Sequence, residues 1–175
     1  KSGLVHSATG TGKTLAVWMG PILSWLRQNR DQQLWNPKKP PGPRVIWIPP
    51  LRALAGDTEN SLRQPINFLG LPWRLESRTG DSKQSLKAKQ LKQLPTALIT
   101  TPESLSLMLT HQHLQEQLSG LESVIVDEWH ELLGTKRGVQ TELVLARLRR
   151  LNPRLRIWGL SATLGNLEQA LESLV

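Results

Sequence analysis

Short apolar runs without a polar position recur along this chain and limit its fold more than any other feature. Residues 45–48 read Val-Ile-Trp-Ile and residues 124–126 read Val-Ile-Val. A strand that is apolar at every position is typical of a parallel sheet covered by helices on both sides. Longer segments with helical periodicity separate the runs. We therefore predict an α/β domain with a mostly parallel central sheet, helices on both faces and right-handed crossovers.

The same pattern gives bounds for the elements. We predict strands over residues 3–6, 45–48, 73–78, 97–100, 123–126 and 155–160. We predict helices over residues 12–29, 51–68, 82–94, 102–109, 138–151 and 166–174. Pro21 is expected to kink or split the first helix, because proline removes a backbone hydrogen bond and clashes with the preceding turn. Four prolines within residues 36–43 predict a surface loop.

The composition excludes several classes of protein. The chain has 175 residues, a net charge of +8 and no cysteine, which excludes disulfides, thiolate metal sites and cysteine nucleophiles. No apolar run approaches the ~20 residues that a membrane span requires, and we expect a cytoplasmic location. The strand-like start and helix-like end predict that residues 1–175 are a single domain cut from a larger protein. The positive charge favours a polyanionic partner.

Residues 7–14, which read Ser-Ala-Thr-Gly-Thr-Gly-Lys-Thr, lie between the first predicted strand and the first predicted helix. That context indicates a phosphate-binding loop. Gly10 and Gly12 allow backbone conformations in which successive N–H groups point at phosphate oxygens, and the helix N-terminus adds its dipole. Lys13 would reach the β- and γ-phosphates, and the Thr14 hydroxyl would bind Mg²⁺. Ser7 stands where the strict pattern has glycine.

Two acidic residues, Asp127 and Glu128, directly follow the apolar run at 124–126. Ligands of such sheets bind outside the carboxyl ends of the strands, so we expect this pair to meet the phosphate loop there. Asp127 is predicted to hold Mg²⁺, and Glu128 to orient or deprotonate the attacking water. Without a phosphate loop in the same chain, the simpler interpretation would be a strand end followed by a helix cap.

Several stretches in the same order resemble the DExH-type helicases of superfamily 2. The first are the phosphate loop, Asp-Glu-Trp-His at 127–130 and Leu-Ser-Ala-Thr at 160–163. Residues 50–55, 78–81 and 100–105 are similar to motif Ia, the Gly-Asp motif and motif Ib of that family. Residues 127–140 and 158–166 look most like the Lhr-like helicases, specifically the ligase-associated DNA helicases. The resemblance covers essentially the whole chain.

The resemblance implies the first of two RecA-like P-loop NTPase domains of an ATP-dependent DNA helicase or translocase, with ATP and Mg²⁺ as cofactors. The implied partners are single-stranded or tailed duplex DNA and a second RecA-like domain in the full-length chain. That second domain would carry the arginine fingers, so the isolated fragment is expected to be nearly inactive. The implied catalytic residues are Lys13, Asp127, Glu128 and His130. The implied nucleotide contacts are Thr9, Gly10, Thr11, Gly12, Lys13 and Thr14, with Thr14 and Asp127 on the metal.

The resemblance also implies residues that contact the nucleic-acid strand. These are Arg52, Thr79, Gly80, Thr101, Lys136 and Arg137. Ser161 and Thr163 would couple nucleotide state to that strand, with His130 as their partner. Simpler interpretations are a helix N-cap for Thr101, a turn for Gly80, and surface charge for the pair at 136–137.

Two other functions stay open at the level of sequence. One is an RNA helicase, because side chains that grip phosphates do not distinguish the two sugars. The other is a nucleotide-dependent clamp or remodeller that binds nucleic acid without separating strands.

Overall fold

One six-stranded sheet organises the molecule. A computed structural model describes residues 2–8 and 10–162 of the chain. The strands are Gly3–His6 (β1), Val45–Ile48 (β2), Leu75–Arg78 (β3), Ala97–Thr100 (β4), Ser123–Val126 (β5) and Arg156–Ser161 (β6). Their order is β1-β6-β5-β2-β4-β3, and every neighbouring pair is parallel. The predicted α/β fold with a parallel central sheet is confirmed.

Seven α-helices connect the strands within the described residues. They are Lys13–Gln28 (α1), Ala55–Phe68 (α2), Gln84–Lys92 (α3), Pro102–Met108 (α4), Gln112–Leu118 (α5), Trp129–Leu132 (α6) and Lys136–Leu151 (α7). Short 3₁₀ turns lie at Gln32–Leu34 and Arg52–Leu54. The sequence pattern did not predict α5 or α6, because such short segments carry too little periodicity. The helix predicted over 166–174 lies outside the described residues.

Pro21 does not split the first helix. Helix α1 is continuous through it from Lys13 to Gln28. Trp18, Ile22 and Trp25 recur at helical spacing and are at most 3% exposed, so one side of α1 packs along its length against the sheet. The packing of that stripe offsets the lost backbone hydrogen bond, as tertiary contacts commonly override local propensity.

Hydrophobic clusters cover both faces of the sheet. On one face, residues of β2 and β5 such as Ile46 and Val124 pack with side chains of α4 to α7. On the other face, the alternate residues Trp47 and Ile125 pack with side chains of α1 and α2. Every residue of β2, β4 and β5 is buried, as the continuously apolar runs predict. In the part of the chain described, no helix is long and apolar enough to cross a bilayer.

Candidate nucleotide and nucleic-acid site

The phosphate loop connects β1 to α1 at the carboxyl end of β1. Gly10 and Gly12 have φ angles of 82° and 85°, in the left-handed region that glycine adopts at little cost. Gly12 is the N-cap of α1, so the unpaired N–H groups of the first helical turn lie at the loop. Thr9 is outside the described residues. At Gly10 and Gly12 the backbone therefore has the left-handed conformation that the sequence predicts for these two glycines.

Side chains inside the loop bind one another and the loop carbonyls. The Lys13 ammonium donates to the carbonyl of Ser7 and, at 3.1 Å, to that of Ala8. The hydroxyls of Ser7 and Thr11 lie 2.6 Å apart, and Thr11 donates to the Ala8 carbonyl at 2.8 Å. Ser7, the departure from the strict pattern, thus adds a hydroxyl contact that glycine could not make. The lysine lies within the loop, where phosphate oxygens could replace the carbonyls as its acceptors.

Asp127 follows β5 directly, and its backbone N–H donates to the carbonyl of Ile48 at 2.9 Å. Burial of the carboxyl, followed by the negative charge of Glu128, raises the pKa of Asp127 to about 6. The backbone N–H of Glu128, the indole of Trp47 and the charge of Lys13 oppose that rise in pKa. Within the described residues the Trp47 indole N–H makes no hydrogen bond of ordinary geometry, so its attraction for the carboxylate is a weaker, electrostatic one.

Glu128, His130 and Ser161 form a connected series of polar groups. Glu128 has φ 46°, an uncommon conformation for a side chain with a Cβ, and such residues often occur at functional sites. Its Oε2 lies 3.4 Å from Nδ1 of His130. The same Nδ1 lies 3.0 Å from the hydroxyl of Ser161. The imidazole therefore connects the acidic segment to the end of β6.

The phosphate loop and the acidic pair lie at the same edge of the sheet. Strand β6 pairs with β1 on one side and with β5 on the other. Adjacent strands are ~4.8 Å apart, so the ends of β1 and β5 are about 10 Å apart. The N–H of Ser7 also donates to the carbonyl of Ser161 at 3.2 Å. Ser161 therefore contacts both the loop and, through His130, the acidic segment; Thr163 is outside the described residues.

The oxygen donors at this edge fit a hard divalent cation. The Thr14 hydroxyl and the Asp127 carboxylate are both ligand types that Mg²⁺ prefers. The charged form of Asp127 is disfavoured by burial and by Glu128, and a cation there would stabilise it. The residues present are therefore suited to magnesium.

Two of the residues predicted to contact the nucleic-acid strand lie at the starts of helices. Arg52 begins the 3₁₀ turn that leads into α2. Thr101 is the N-cap of α4: its Oγ1 accepts from the N–H of Ser104 at 3.2 Å, and the residue is 2% exposed. The capping interpretation of the Thr101 hydroxyl is confirmed.

The Gly-Asp segment forms a tight turn after β3. The N–H of Thr79 donates to Oγ of Ser82 at 2.9 Å, and Oγ1 of Thr79 accepts from the N–H of Asp81 at 3.3 Å. Lys87 donates to the carbonyl of Gly80 at 2.7 Å. Thr79 is buried and Gly80 is exposed. Thr79 therefore shapes the turn, whereas Gly80 offers its backbone to the surface.

Lys136 and Arg137 both begin α7, but their side chains differ in environment. Lys136 is exposed. Arg137 is half-buried: its Nη1 donates to the carbonyl of Pro50, and its Nε lies 3.4 Å from Oε1 of Glu103. The surface-charge interpretation therefore fits Lys136 and does not fit Arg137.

Comparison with known proteins gives the family. The sequence pattern of the DEAD/DEAH box helicase family matches residues 1–170. The chain belongs to the DEAD/DEAH box helicase family. The chain is 38% identical over 181 residues to the ATP-dependent helicase Lhr-Core of Methanothermobacter thermautotrophicus, covering 98% of the chain and 20% of that protein. It is 40% identical over 174 residues to the Lhr helicase/probable uracil glycosylase of Mycolicibacterium smegmatis, covering 91% of the chain and 11% of that protein.

Solved structures agree with the sequence comparison. The helicase Lhr of Mycobacterium smegmatis, solved with ssDNA and AMP-PNP, superposes with a TM-score of 0.76 at 37% identity, over 97% of this chain and 22% of that one. The helicase MrfA, solved with DNA and AMPPNP, has a TM-score of 0.80 at 24% identity, over 99% and 23%, and supports the fold alone. The resemblance to Lhr-like helicases is confirmed, and the chain spans about a fifth of Lhr-Core and of the solved Lhr chain.

Sequence reasoning missed two residues of the site. Trp47 was visible only as an apolar position in a buried strand, and nothing local places its indole beside Asp127. Glu103 lies inside the motif-Ib-like stretch, but its partner Arg137 is far away in the sequence. Contacts of this kind depend on the order of the strands, which no local pattern specifies.

Proposed function

We propose that this chain is the ATP-binding domain of an ATP-dependent DNA helicase or translocase, in which Mg-ATP hydrolysis is coupled to movement on single-stranded DNA. The observation that best supports it is that the phosphate loop after β1 and the acidic pair after β5 follow strands that both pair with β6, so Lys13 and Asp127 lie at the same edge of the sheet. A cation from one loop and a carboxylate from another at one sheet edge suit a magnesium-bound triphosphate. Membership of the helicase family supports the same conclusion.

The proposed chemistry is phosphoryl transfer to water. Lys13 and the N–H groups of the loop at residues 9–14 bind the phosphates. Thr14 and Asp127 hold Mg²⁺, which neutralises charge on the phosphate oxygens. Glu128 orients the attacking water and accepts its proton. Nδ1 of His130 lies 3.4 Å from the Glu128 carboxylate and 3.0 Å from the Ser161 hydroxyl, so we assign Ser161, with Thr163, to coupling.

The proposed DNA track follows the loops at the same edge. By resemblance, the track includes Arg52, Thr79, Gly80, Thr101 and Lys136. The related Lhr structure holds ssDNA. Arg137, which the resemblance also implies, lies beside this track, and its guanidinium is engaged by neighbouring loops. The net charge of +8 favours a polyanion.

The proposed architecture is one RecA-like domain, residues 1–175, of a longer protein with a second RecA-like domain. It is supported by the small share of Lhr-Core that the chain covers. A cytoplasmic location belongs to the same proposal, because ATP and DNA are available there.

The decisive experiment is Glu128→Gln in the full-length protein. Because amide replaces the proposed base, we expect Mg-ATP to bind with a Kd within ~3-fold of the parent, whereas turnover and strand displacement fall together by ~100-fold or more. Glu131→Gln, at an exposed neighbouring carboxyl, is the matched control and should keep both activities.

Strand displacement is measured on DNA and RNA duplexes that carry a single-stranded tail. Displacement of DNA strands supports the proposal. Displacement of RNA strands alone would assign an RNA helicase, and nucleic-acid-stimulated turnover without displacement would assign a clamp. Unwinding that survives the substitution would show that Glu128 is not the base.

A further inference from the structure

The guanidinium of Arg137 contacts two loops that belong to the proposed DNA track. Its Nη1 donates to the carbonyl of Pro50, two residues before Arg52. Its Nε pairs with Glu103, two residues after Thr101. Arg137 itself lies in the first turn of α7. One side chain therefore joins three segments that are distant in sequence. Each segment carries a residue that is proposed to contact the nucleic-acid strand.

The guanidinium is enclosed by the protein. The Arg137 side chain is 22% exposed, and its Nε and Nη2 atoms are buried without a hydrogen-bond partner among the described residues. A buried cation is costly unless an anion compensates for it, and Glu103 is the compensating carboxylate. A direct phosphate contact would need a donor at the surface, which Lys136 offers and Arg137 does not.

The backbone that carries Arg137 is fixed against the acidic segment. The Thr135 hydroxyl accepts from the N–H of Gly138 at 3.0 Å and donates to the carbonyl of Leu132, the last residue of α6, at 2.7 Å. A Cβ at Gly138 would lie 2.0 Å from that carbonyl oxygen. Helix α6 itself starts directly after Glu128. The start of α7 is therefore packed and hydrogen-bonded against the short helix that follows the proposed base.

We propose that Arg137 is a positioning residue: with Glu103 it fixes the loops of Pro50 and Thr101 against the start of α7 and thereby sets the affinity for the nucleic-acid strand. The proposal rests on the proposed function of this site as a DNA-dependent motor. Arg137 acts through the two loops and touches no phosphate itself. Its guanidinium geometry matters as well as its charge, because it must reach a carbonyl and a carboxylate together.

Salt dependence separates a positioning role from a phosphate contact. Each phosphate neutralised on a single strand contributes about 0.7 to the slope of log K against log salt concentration. A residue that only preorganises the loops changes affinity at every salt concentration and leaves that slope unchanged, because the bound strand still contacts the same phosphate-binding groups. Loss of a phosphate contact lowers both the affinity and the slope.

Glu103 gives a second test with opposite signs. Simple electrostatics predicts that Glu103→Gln tightens DNA binding, because a negative charge near the phosphates is removed. A positioning role predicts weaker binding, because Arg137 loses its carboxylate partner.

The experiment measures binding of a fluorescent single-stranded oligonucleotide to the full-length protein over a range of KCl concentrations. We expect Arg137→Gln and Glu103→Gln each to weaken binding ~5–20-fold with an unchanged slope. The double variant should bind no more weakly than Arg137→Gln alone, because the two residues act as a unit. Arg137→Lys keeps the charge and should still weaken binding. Lys136→Gln, the adjacent exposed cation, should lower the slope by about 0.7.

Nucleotide affinity and thermal melting of each variant report whether the domain is intact, and Arg137→Lys provides the measurement if Arg137→Gln does not fold. A slope lowered by about 0.7 in Arg137→Gln, or tighter binding by Glu103→Gln, would overturn the positioning role. Variants that bind like the parent would overturn it too and leave the motor function standing. A parent protein that shows no DNA binding and no DNA-stimulated turnover would overturn the proposed function itself.

Discussion

Burial and a neighbouring carboxylate both disfavour the charged form of Asp127, which is the form that a metal requires. The folded chain therefore keeps the proton of this carboxyl up to about pH 6, whereas the ordinary pKa is 3.8. Between those values the unfolded chain binds fewer protons than the folded one. The free energy of unfolding consequently falls as pH rises through this window, and the loss is complete above pH 6.

Asp127→Asn should stabilise the metal-free chain, and more so at neutral pH. The amide carries no charge to bury, so the gain in unfolding free energy should be about 2 kcal/mol larger at pH 7.5 than at pH 4.5. Denaturant unfolding of the 175-residue chain and its variant at both pH values, without Mg²⁺, measures this gain in unfolding free energy. Glu131→Gln removes an exposed negative charge from the same segment and is the control. An equal gain at both pH values would contradict the raised pKa of Asp127.

At the scale of the element, the strands were readable because their apolar runs are continuous, and β2 and β5 have the predicted bounds. The continuity of α1 through Pro21 could not be predicted from the sequence, because it depends on side chains that pack against the sheet. The loop conformations of the site followed from Gly10 and Gly12. The contacts of Arg137 could not be predicted from the sequence, because they join segments that only the tertiary fold brings together.

The junction of α6 and α7 gives a prediction at the same scale. Gly138→Ala would place a methyl group 2.0 Å from the Leu132 carbonyl oxygen, so the helices must separate. We expect a loss of ~1–3 kcal/mol in unfolding free energy, although alanine favours a helix. Gly56→Ala, in α2 where a Cβ meets nothing within 4 Å, is the matched control and should stabilise by ~0.5–1 kcal/mol. Thermal or denaturant unfolding of both variants compares them, and a stabilised Gly138→Ala would contradict the close approach.

At the scale of the whole molecule, the strand order makes the site. Placing β6 between β1 and β5 brings Ser7 and Asp127 to one edge, with Ser161 between them. The sequence predicted that the phosphate loop and the acidic pair would meet, because both follow predicted strands of one parallel sheet. It could not predict that β6 would lie between them, since strand order depends on how the helices cross the two faces.

The resemblance to two-domain helicases predicts that the isolated 175-residue chain is a poor ATPase. Its described residues offer Lys13, Asp127 and Glu128 from one side of the nucleotide, whereas the arginine that stabilises transition-state charge would come from the second RecA-like domain. Such an arginine contributes ~10³–10⁵-fold in rate in related NTPases. We therefore expect measurable binding of Mg-ATP to the isolated chain, with turnover at least ~10³-fold below that of the full-length protein on saturating DNA. A steady-state ATPase assay of the two proteins side by side checks this, and similar turnover would show that residues 1–175 already contain every group the reaction needs.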